Sequence, residues 1–559
     1  MSASLSRPWR NSHSSLKWSD VLAGKIRNLR SIFGTIPPEP RDAGRQPVTN
    51  IYFNARGKDS IVPNPGKPFP GCPASRRAEV PLQCWNDPMR SRLLTTLILL
   101  ARLVPPAEAQ SPQSCFPPSA YALLRQDEDY SDLNNPACRQ DFWDPVKFIP
   151  FDSEGHDYLT IGGEVREWYE GFRNANWGAG PQDSNGYLLQ RISLFSDWHF
   201  SRRVRFFAQL TSDIEAGRNG GPAPTMEAEL WVEQGFGDIA LIESGRGSLT
   251  LRLGRQEFEF GSGRLVDDRE GPNLRQAFDG ADAVLKAASW HVDAFAARPI
   301  INNIGVFDDP PNHATMFWGV YGVRPLAPTN GGNIDLYYLG IDNKQATFSR
   351  GTAQETRHTL GTRFWGEHRA LVYDWEATFQ WGSFGPVDIR AWSVGALTGY
   401  NLRSIPLQPR ISFRLSATSG DSDRPSAPLG TFNPLFPTGI YFGEGGVDLN
   451  GPSNMLRIGP SVTFHIRKNL SLVVDDDFFW RESLEDGVYG LGVNLLRSGL
   501  DNRDRYVGSQ PSAGVYCQPS RHIGIGAAYT YFSVGPFLVN SASPGKDVDY
   551  AAVWASYKF

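Results

Sequence analysis

The sequence predicts an all-β protein: a transmembrane antiparallel β-barrel of about 18 strands with long extracellular loops. Three observations predict it. Beyond residue 110 the chain runs as segments of about ten residues in which apolar and polar side chains alternate, the period of a strand with two unlike faces. In that part no apolar run approaches the roughly 18 residues of a helical span. The connections between segments alternate between tight and long, as in bacterial outer-membrane barrels.

Residues 1–88 are rich in Arg, Pro, Ser and Gly without sustained periodicity, as in IPPEPRDAGRQP and IVPNPGKPFPGCP. Such a stretch is expected to be disordered, and we read it as a non-native upstream extension. Met89 opens MRSRLLTTLILLARLVPPAEAQ. Arg90 and Arg92 precede a short apolar middle, and Ala107-Glu108-Ala109 supplies a small-residue cleavage pattern. That is the layout of a secretory signal peptide over 89–109, with Gln110 as the first mature residue; a buried core helix is the alternative. Removing this front changes the charge. The first 109 residues hold 16 of the 55 Lys+Arg and 7 of the 59 Asp+Glu, which leaves 39 basic against 52 acidic residues, net −13. A chain this acidic excludes generic nucleic-acid binding. Of the five cysteines, Cys115, Cys138 and Cys517 survive processing. The first two are able to pair in an oxidising compartment, and free thiols fit the spacing equally well. Residues 110–156 either plug the mouth of a barrel or simply lead into its first strand.

The barrel is expected over 157–559. In LVYDWEATFQW, Leu371, Tyr373, Trp375, Ala377, Phe379 and Trp381 share one face, and Asp374, Glu376, Thr378 and Gln380 the other. MLRIGPSVTFHI and RISFRLSAT repeat the pattern. About eighteen such segments fit between Asp157 and Phe559, roughly one per 22 residues. Connections near 201, 288, 367, 467 and 519 are tight, and those at 261–279, 419–454 and 482–504 are long. Those near 240, 328 and 384 break the alternation, which leaves the count open by two. The final strand, VDYAAVWASYKF, ends on an aromatic residue.

If the apolar face meets lipid, the opposite face lines an aqueous bore that eighteen strands make too wide for side chains to fill. Something must narrow it. The segment LRLGRQEFEFGSGRLVDDREGPNLRQAFDGA carries Arg252, Arg255, Arg264, Arg269 and Arg275 among Asp267, Asp268, Glu270 and Asp279, with five glycines. Glycines permit sharp turns, and arginines offer planar donor forks to carboxylates. From spacing alone, an inward-folded loop and a solvated surface loop are equally compatible with it.

At these residues the chain resembles the alginate-export family of outer-membrane porins. The likeness starts in ALLRQDEDYSDLNNP and DPVKFIPFDSEGHDYLTIGGEVREWYE. It passes through LGRQEFEFGSGRLVDDREGPNLRQAFDGA, SGDSDRPSAPLGTFNPLFPTGIYFG and WRESLEDGVYG, and closes with YTYFSVGPFL. The resemblance implies an 18-stranded barrel in the bacterial outer membrane and a lumen narrowed by inward-folded segments. It also implies passive export or conduction of an anionic polysaccharide, an alginate-like polyuronate, along arginines. Carried onto this chain, the pathway residues are Arg255, Arg264, Asp267, Asp268 and Arg269, with Arg166 and Arg203 or Arg205 facing the same channel; Arg363, on the lumen face by alternation, joins them. Outer-membrane lipid, an anionic polysaccharide or sugar-acid substrate and a periplasmic export partner are the implied partners; no cofactor, metal or nucleic acid is.

A conduit must bind well enough to admit its substrate and weakly enough to release it. Exposed guanidinium–carboxylate contacts contribute about 1 kcal/mol or less each, so a ladder of them passes a chain without trapping it. A general or sugar-acid-selective diffusion porin for nutrient uptake is the competing reading. A barrel hydrolase is the third. The chain is not expected to be an enzyme, because HExxH, G-x-S-x-G, CxxC and P-loop patterns are all missing from the sequence, and His291 and His465 read as wetted lumen residues. The GDSD stretch, 420–423, has the composition of a calcium loop, although acidic extracellular loops are usually just solvated.

Overall fold

In a computed structural model, residues 121–559 are described apart from 184, 224, 327–330, 423–425, 440, 446–448 and 501. The extension 1–88, the signal 89–109, Gln110 and Cys115 lie outside the described residues. Eighteen strands of 9 to 18 residues form the barrel. They are β1 (Tyr158–Arg173), β2 (Tyr187–Phe200), β3 (Val204–Ala216), β4 (Ala228–Ser244), β5 (Gly247–Glu257), β6 (Ala277–Ala287), β7 (Trp290–Pro299), β8 (Thr315–Pro325) and β9 (Gly332–Phe348). The second half comprises β10 (Gly351–His368), β11 (Leu371–Phe384), β12 (Val387–Asn401), β13 (Arg410–Thr418), β14 (Met455–Arg467), β15 (Leu470–Arg481), β16 (Tyr506–Cys517), β17 (Ile523–Val534) and β18 (Val548–Lys558). Each pairs antiparallel with the next, and β18 closes on β1 in a register running from Glu164↔Lys558 to Arg173↔Asp549. Closure removes every sheet edge, which a strand in hydrocarbon requires.

The faces are inverted relative to a water-soluble sheet. On β11, Trp375, Phe379 and Trp381 are 46%, 49% and 36% exposed, whereas Glu376, Thr378 and Gln380 are 8%, 6% and 0% exposed. Phe413, Leu415 and Ile458 likewise point out, with Arg457 and Ser461 buried inside. This is the apolar-out, polar-in alternation of a membrane barrel.

The end where the chain enters β1 has short connections, including two-residue turns at 245–246, 288–289, 369–370 and 468–469. The other end carries the long loops, with two exceptions: 349–350 and 385–386 are also tight. The strand count of eighteen is unaffected, because β9–β12 are long hairpins whose tips need no loop.

Residues 121–157 do not run straight into β1. Arg125 donates from Nη1 to Gly163 O (3.2 Å) and from Nη2 to Phe559 O (2.9 Å). Gln126 O accepts from Arg205 (2.7 Å), and its Oε1 accepts from Gln234 (2.9 Å). Lys147 is buried among the rings of Tyr121, Tyr130, Phe195 and Phe559. Burial pulls its pKa down to about 7. Cys138 is disulfide-bonded and Cys517 is a free thiol.

Candidate functional site: a lumen narrowed by two loops

The β5–β6 connection, 258–276, folds into the barrel. It turns at Gly261 and Gly263, whose φ of 69° and 72° suit residues without a Cβ, and Phe260 bridges Val266 across the turn. Two wall arginines hold it. Arg166 of β1 donates to Glu270 O (2.9 Å), Pro272 O (3.2 Å) and Asn273 Oδ1 (3.2 Å). Arg191 of β2 donates to Glu270 Oε2 (2.8 Å), Pro272 O (3.0 Å) and Asn273 O (2.9 Å). The Asn273 amide in turn donates to Gln190 O, Ile214 O and Met226 O. The loop's unpaired carbonyls are thereby satisfied by the wall, as a buried backbone demands.

A second loop, 419–454, meets the first. Asp267 N donates to Phe436 O (2.9 Å), Phe436 N to Leu265 O (2.9 Å) and Thr438 N to Gly263 O (2.8 Å). It is moored to β11 by Gln380, which donates to Asn433 O (2.7 Å) and accepts from Asn433 N (3.0 Å). On the opposite wall Tyr550 donates to Gly445 O and Tyr516 to Glu444. The two loops form one partition across the bore. Phe258 and Phe260 of the first loop and Phe436 of the second pack on the wall rings Phe278, Phe295 and Phe317.

The expected pathway residues separate into groups. Arg166 is a buried staple. Arg205 is lumen-facing and bidentate to Asp197 (2.7 and 2.9 Å); Arg363 is bidentate to Asp374 (2.8 and 2.6 Å) and reaches Asp335 (3.1 Å). Asp267 and Asp268 are buried at the junction of the loops, and Arg269 sits there half-buried at φ 60°. Two differ from expectation. Arg203 lies exposed in the β2–β3 turn. Arg255 lies on the outer face: its cross-strand row contains Gly235 and Asp279, directly beside the row of the 47% exposed Leu253, while Arg252 and Gln256 face inward. Arg255 pairs with Asp279 (2.8 Å) and donates to Asp309 O (2.9 Å), pinning the β7–β8 loop to the outside wall.

Arg264, at the tip of the first loop, is the exception among the inward arginines. Its Nε lies 3.8 Å from Glu376 Oε2, and it makes no hydrogen bond among the described residues. Room for it comes from Gly395 of β12, where a Cβ would stand 1.1 Å from Arg264 Nη1. Arg191, Arg252, Arg275, Arg357, Arg414 and Arg457 all donate to fixed acceptors.

Arg275 is a hub. It lies 2.5 Å from Glu270, 3.5 Å from Glu257, 3.6 Å from Asp268 and 4.0 Å from Glu233. Burial pushes the Asp268 carboxyl up to about 7 against the pull of Arg275, with Glu270 and Glu259 adding to the rise. Glu270, despite burial, is held well below the usual carboxylate range by Arg275, Arg191 and Arg166. Spacing did not indicate the roles of Arg191, Glu270, Asn273 and Arg275, nor the second loop. For the second loop the length of the 419–454 connection and the family resemblance within it were the signals available. In GDSD, Asp421 is engaged by Arg350 (Nη2 to Oδ1, 2.6 Å), and Asp423 lies outside the described residues. Among the described residues no cluster of three or more His, Cys, Asp or Glu is arranged to hold a metal ion.

Comparison with known proteins adds three findings. The alginate export family matches residues 157–551. No curated protein matches the chain. Solved structures that resemble it include Pseudomonas aeruginosa OpdK with vanillate, at 11% identity, a TM-score of 0.49 and coverage of 72% of this chain and 98% of that one. P. aeruginosa OccK8 (OprE) aligns at 12% identity, 0.48, 72% and 98%, and OccK11 (OpdR) at 11%, 0.46, 72% and 95%.

Proposed function

The chain belongs to the alginate export family of bacterial outer-membrane channels, and from that premise we propose that it passively conducts an acidic saccharide through the narrowed lumen, with Arg264 receiving substrate carboxylates. The observation that carries this reading is the state of Arg264. Among the described inward arginines, which are otherwise engaged with fixed partners, the guanidinium at the loop tip makes no hydrogen bond and faces Glu376 at 3.8 Å, with Tyr441 and Asp374 also acting on it electrostatically. A single weakly held contact fits a passive conduit, because a deeper site would stall the substrate. Glu376 keeps the arginine extended when no substrate is there. Export of a polymer requires delivery at the short-turn mouth, so this reading includes a periplasmic export partner at that end.

The test is planar-bilayer conductance with uronate oligomers as blockers. Arg264→Ala is expected to weaken block about fivefold to tenfold, the scale of one charge-assisted hydrogen bond, with the open-channel current preserved. Unchanged block would refute the assignment. Uptake of small sugar acids is the second reading, favoured by the partition of two interlocked loops, since a small solute needs less room beside it than a polymer does. Stronger competition by monomeric sugar acids than by oligomers would select it.

A further inference from the structure

At the long-loop end, on the lumen side of β1 and β2, a cavity of about 260 Å³ lies between the β1–β2 and β3–β4 loops. It is lined by Phe172, Gln182, Asp183, Tyr187, Arg218 and Asn219, among others. We propose that it is a saccharide subsite at the outer mouth that holds one uronic-acid residue, its carboxylate on Arg218 and its hydroxyls on Asp183 and the neighbouring amides. The inference rests on the acidic-saccharide reading above but concerns a different place and different residues.

The site is built rather than incidental. Arg218 lies 3.8 Å over the Tyr187 ring, with its Nε donating to Glu215 (2.6 Å), and Glu215 Oε2 accepts from Ala223 N (2.7 Å). Tyr187 donates to Glu170 (2.6 Å), which also accepts from Tyr550 (2.9 Å). Asp183 Oδ2 accepts from Asn219 N (2.8 Å), while its Oδ1 is buried with no hydrogen-bond partner. Asp183 lines the cavity, and its carboxylate, an acceptor with more lone pairs than the one bond from Asn219 N uses, takes a sugar hydroxyl there. Phe172, tilted against Tyr550 with ring centroids 4.6 Å apart, gives the apolar wall that a sugar's C–H face packs against. The volume is close to the lower bound of small-ligand cavities, roughly 300 Å³. It therefore admits one ring, not a folded chain. Because the arginine, aspartate and aromatic walls are fixed by their own partners, binding spends little on ordering them.

The experiment measures binding of a uronate trisaccharide and of its neutral methyl ester to the detergent-solubilised full chain by titration calorimetry, for the native protein, Arg218→Gln, Arg218→Lys, Asp183→Asn and Arg264→Ala. Heat-modifiable gel mobility verifies that each barrel is folded. Arg218→Gln is expected to lower affinity for the acid about tenfold and leave the ester unchanged. Arg218→Lys should retain part of the acid affinity, and Asp183→Asn should weaken both ligands. Equal losses for acid and ester in Arg218→Gln, or no loss at all, overturn the proposal. If Arg264→Ala weakens channel block as expected while Arg218→Gln leaves binding intact, this subsite falls and the conduit reading stands. If the native chain binds no uronate and its current is not blocked by it, both fall.

Discussion

A carboxyl group buried beside other carboxyls resists ionisation, and Asp268 is such a group. It is fully buried, and its pKa of about 7 lies above the ordinary 3.8 because burial disfavours the charge, Arg275 only partly offsetting this while Glu270 and Glu259 reinforce it. Asp267 beside it is raised in the same way, by burial first and then by Asp268 and Glu259. The sign follows from proton counting. With the loop folded inward Asp268 keeps its proton up to about pH 7; released into water it loses it near 3.8. The inward position therefore binds more protons between these values, and its stability falls as pH rises through that window. Below about 4 the contribution is fully present, and above about 7 no further loss occurs. Channel current noise, which reports motion of the 258–276 loop, is expected to grow from pH 4 to 7 and then level off. Asp268→Asn should flatten most of the rise. Noise that falls with rising pH would contradict the assignment of this carboxyl to the folded loop.

Two interlocked loops are bonded to each other and to opposite walls of the bore, and Gly395 shows how a wall element is fitted to them. Any side chain at 395 must displace the Arg264 guanidinium, since even a Cβ would lie 1.1 Å from Nη1. Gly395→Ala should thus reproduce the weakened uronate block of Arg264→Ala although the arginine is still present; normal block in single-channel recordings would mean that Arg264 works from elsewhere. The strands were legible because period-2 alternation is local: LVYDWEATFQW alone assigns both faces of β11. The inward fold was not, because its causes are far apart in sequence. Arg191 meets Asn273 across 82 positions, and Val266 pairs with Phe436, contacts that no spacing encodes. Arg255 is the instructive miss. The family likeness nominated it, whereas the alternation Leu251, Leu253, Arg255 in its own strand already put it on the outer face. Where local parity and a motif disagreed, parity corresponded to the structure.

Across the whole molecule, the same alternation that greases the outside loads the inside with both signs of charge, and the pairing of those charges decides what the channel can select. Arg205 with Asp197, Arg252 with Asp238, Arg363 with Asp374 and Arg457 with Asp477 are neutralised within the wall. Fields from such pairs fall off rapidly in a salt-filled bore, with a screening length of about 10 Å at 0.1 M. Residues 110–559 carry a net −13, so the residual potential favours cations. The expected reversal potential in a tenfold KCl gradient is under about 20 mV on the cation side, against a limit of roughly 59 mV for perfect selectivity. Arg264→Ala, which removes the least-engaged positive charge, should move it further towards cations. A native channel close to the anion limit would mean that the bore presents a free arginine ladder, and discrimination by field would then replace discrimination by contact. Weak ion selectivity combined with block by uronate is the signature of a lumen in which paired charges shape the passage and contact at the loop-tip arginine, rather than a field, reads the substrate at the constriction.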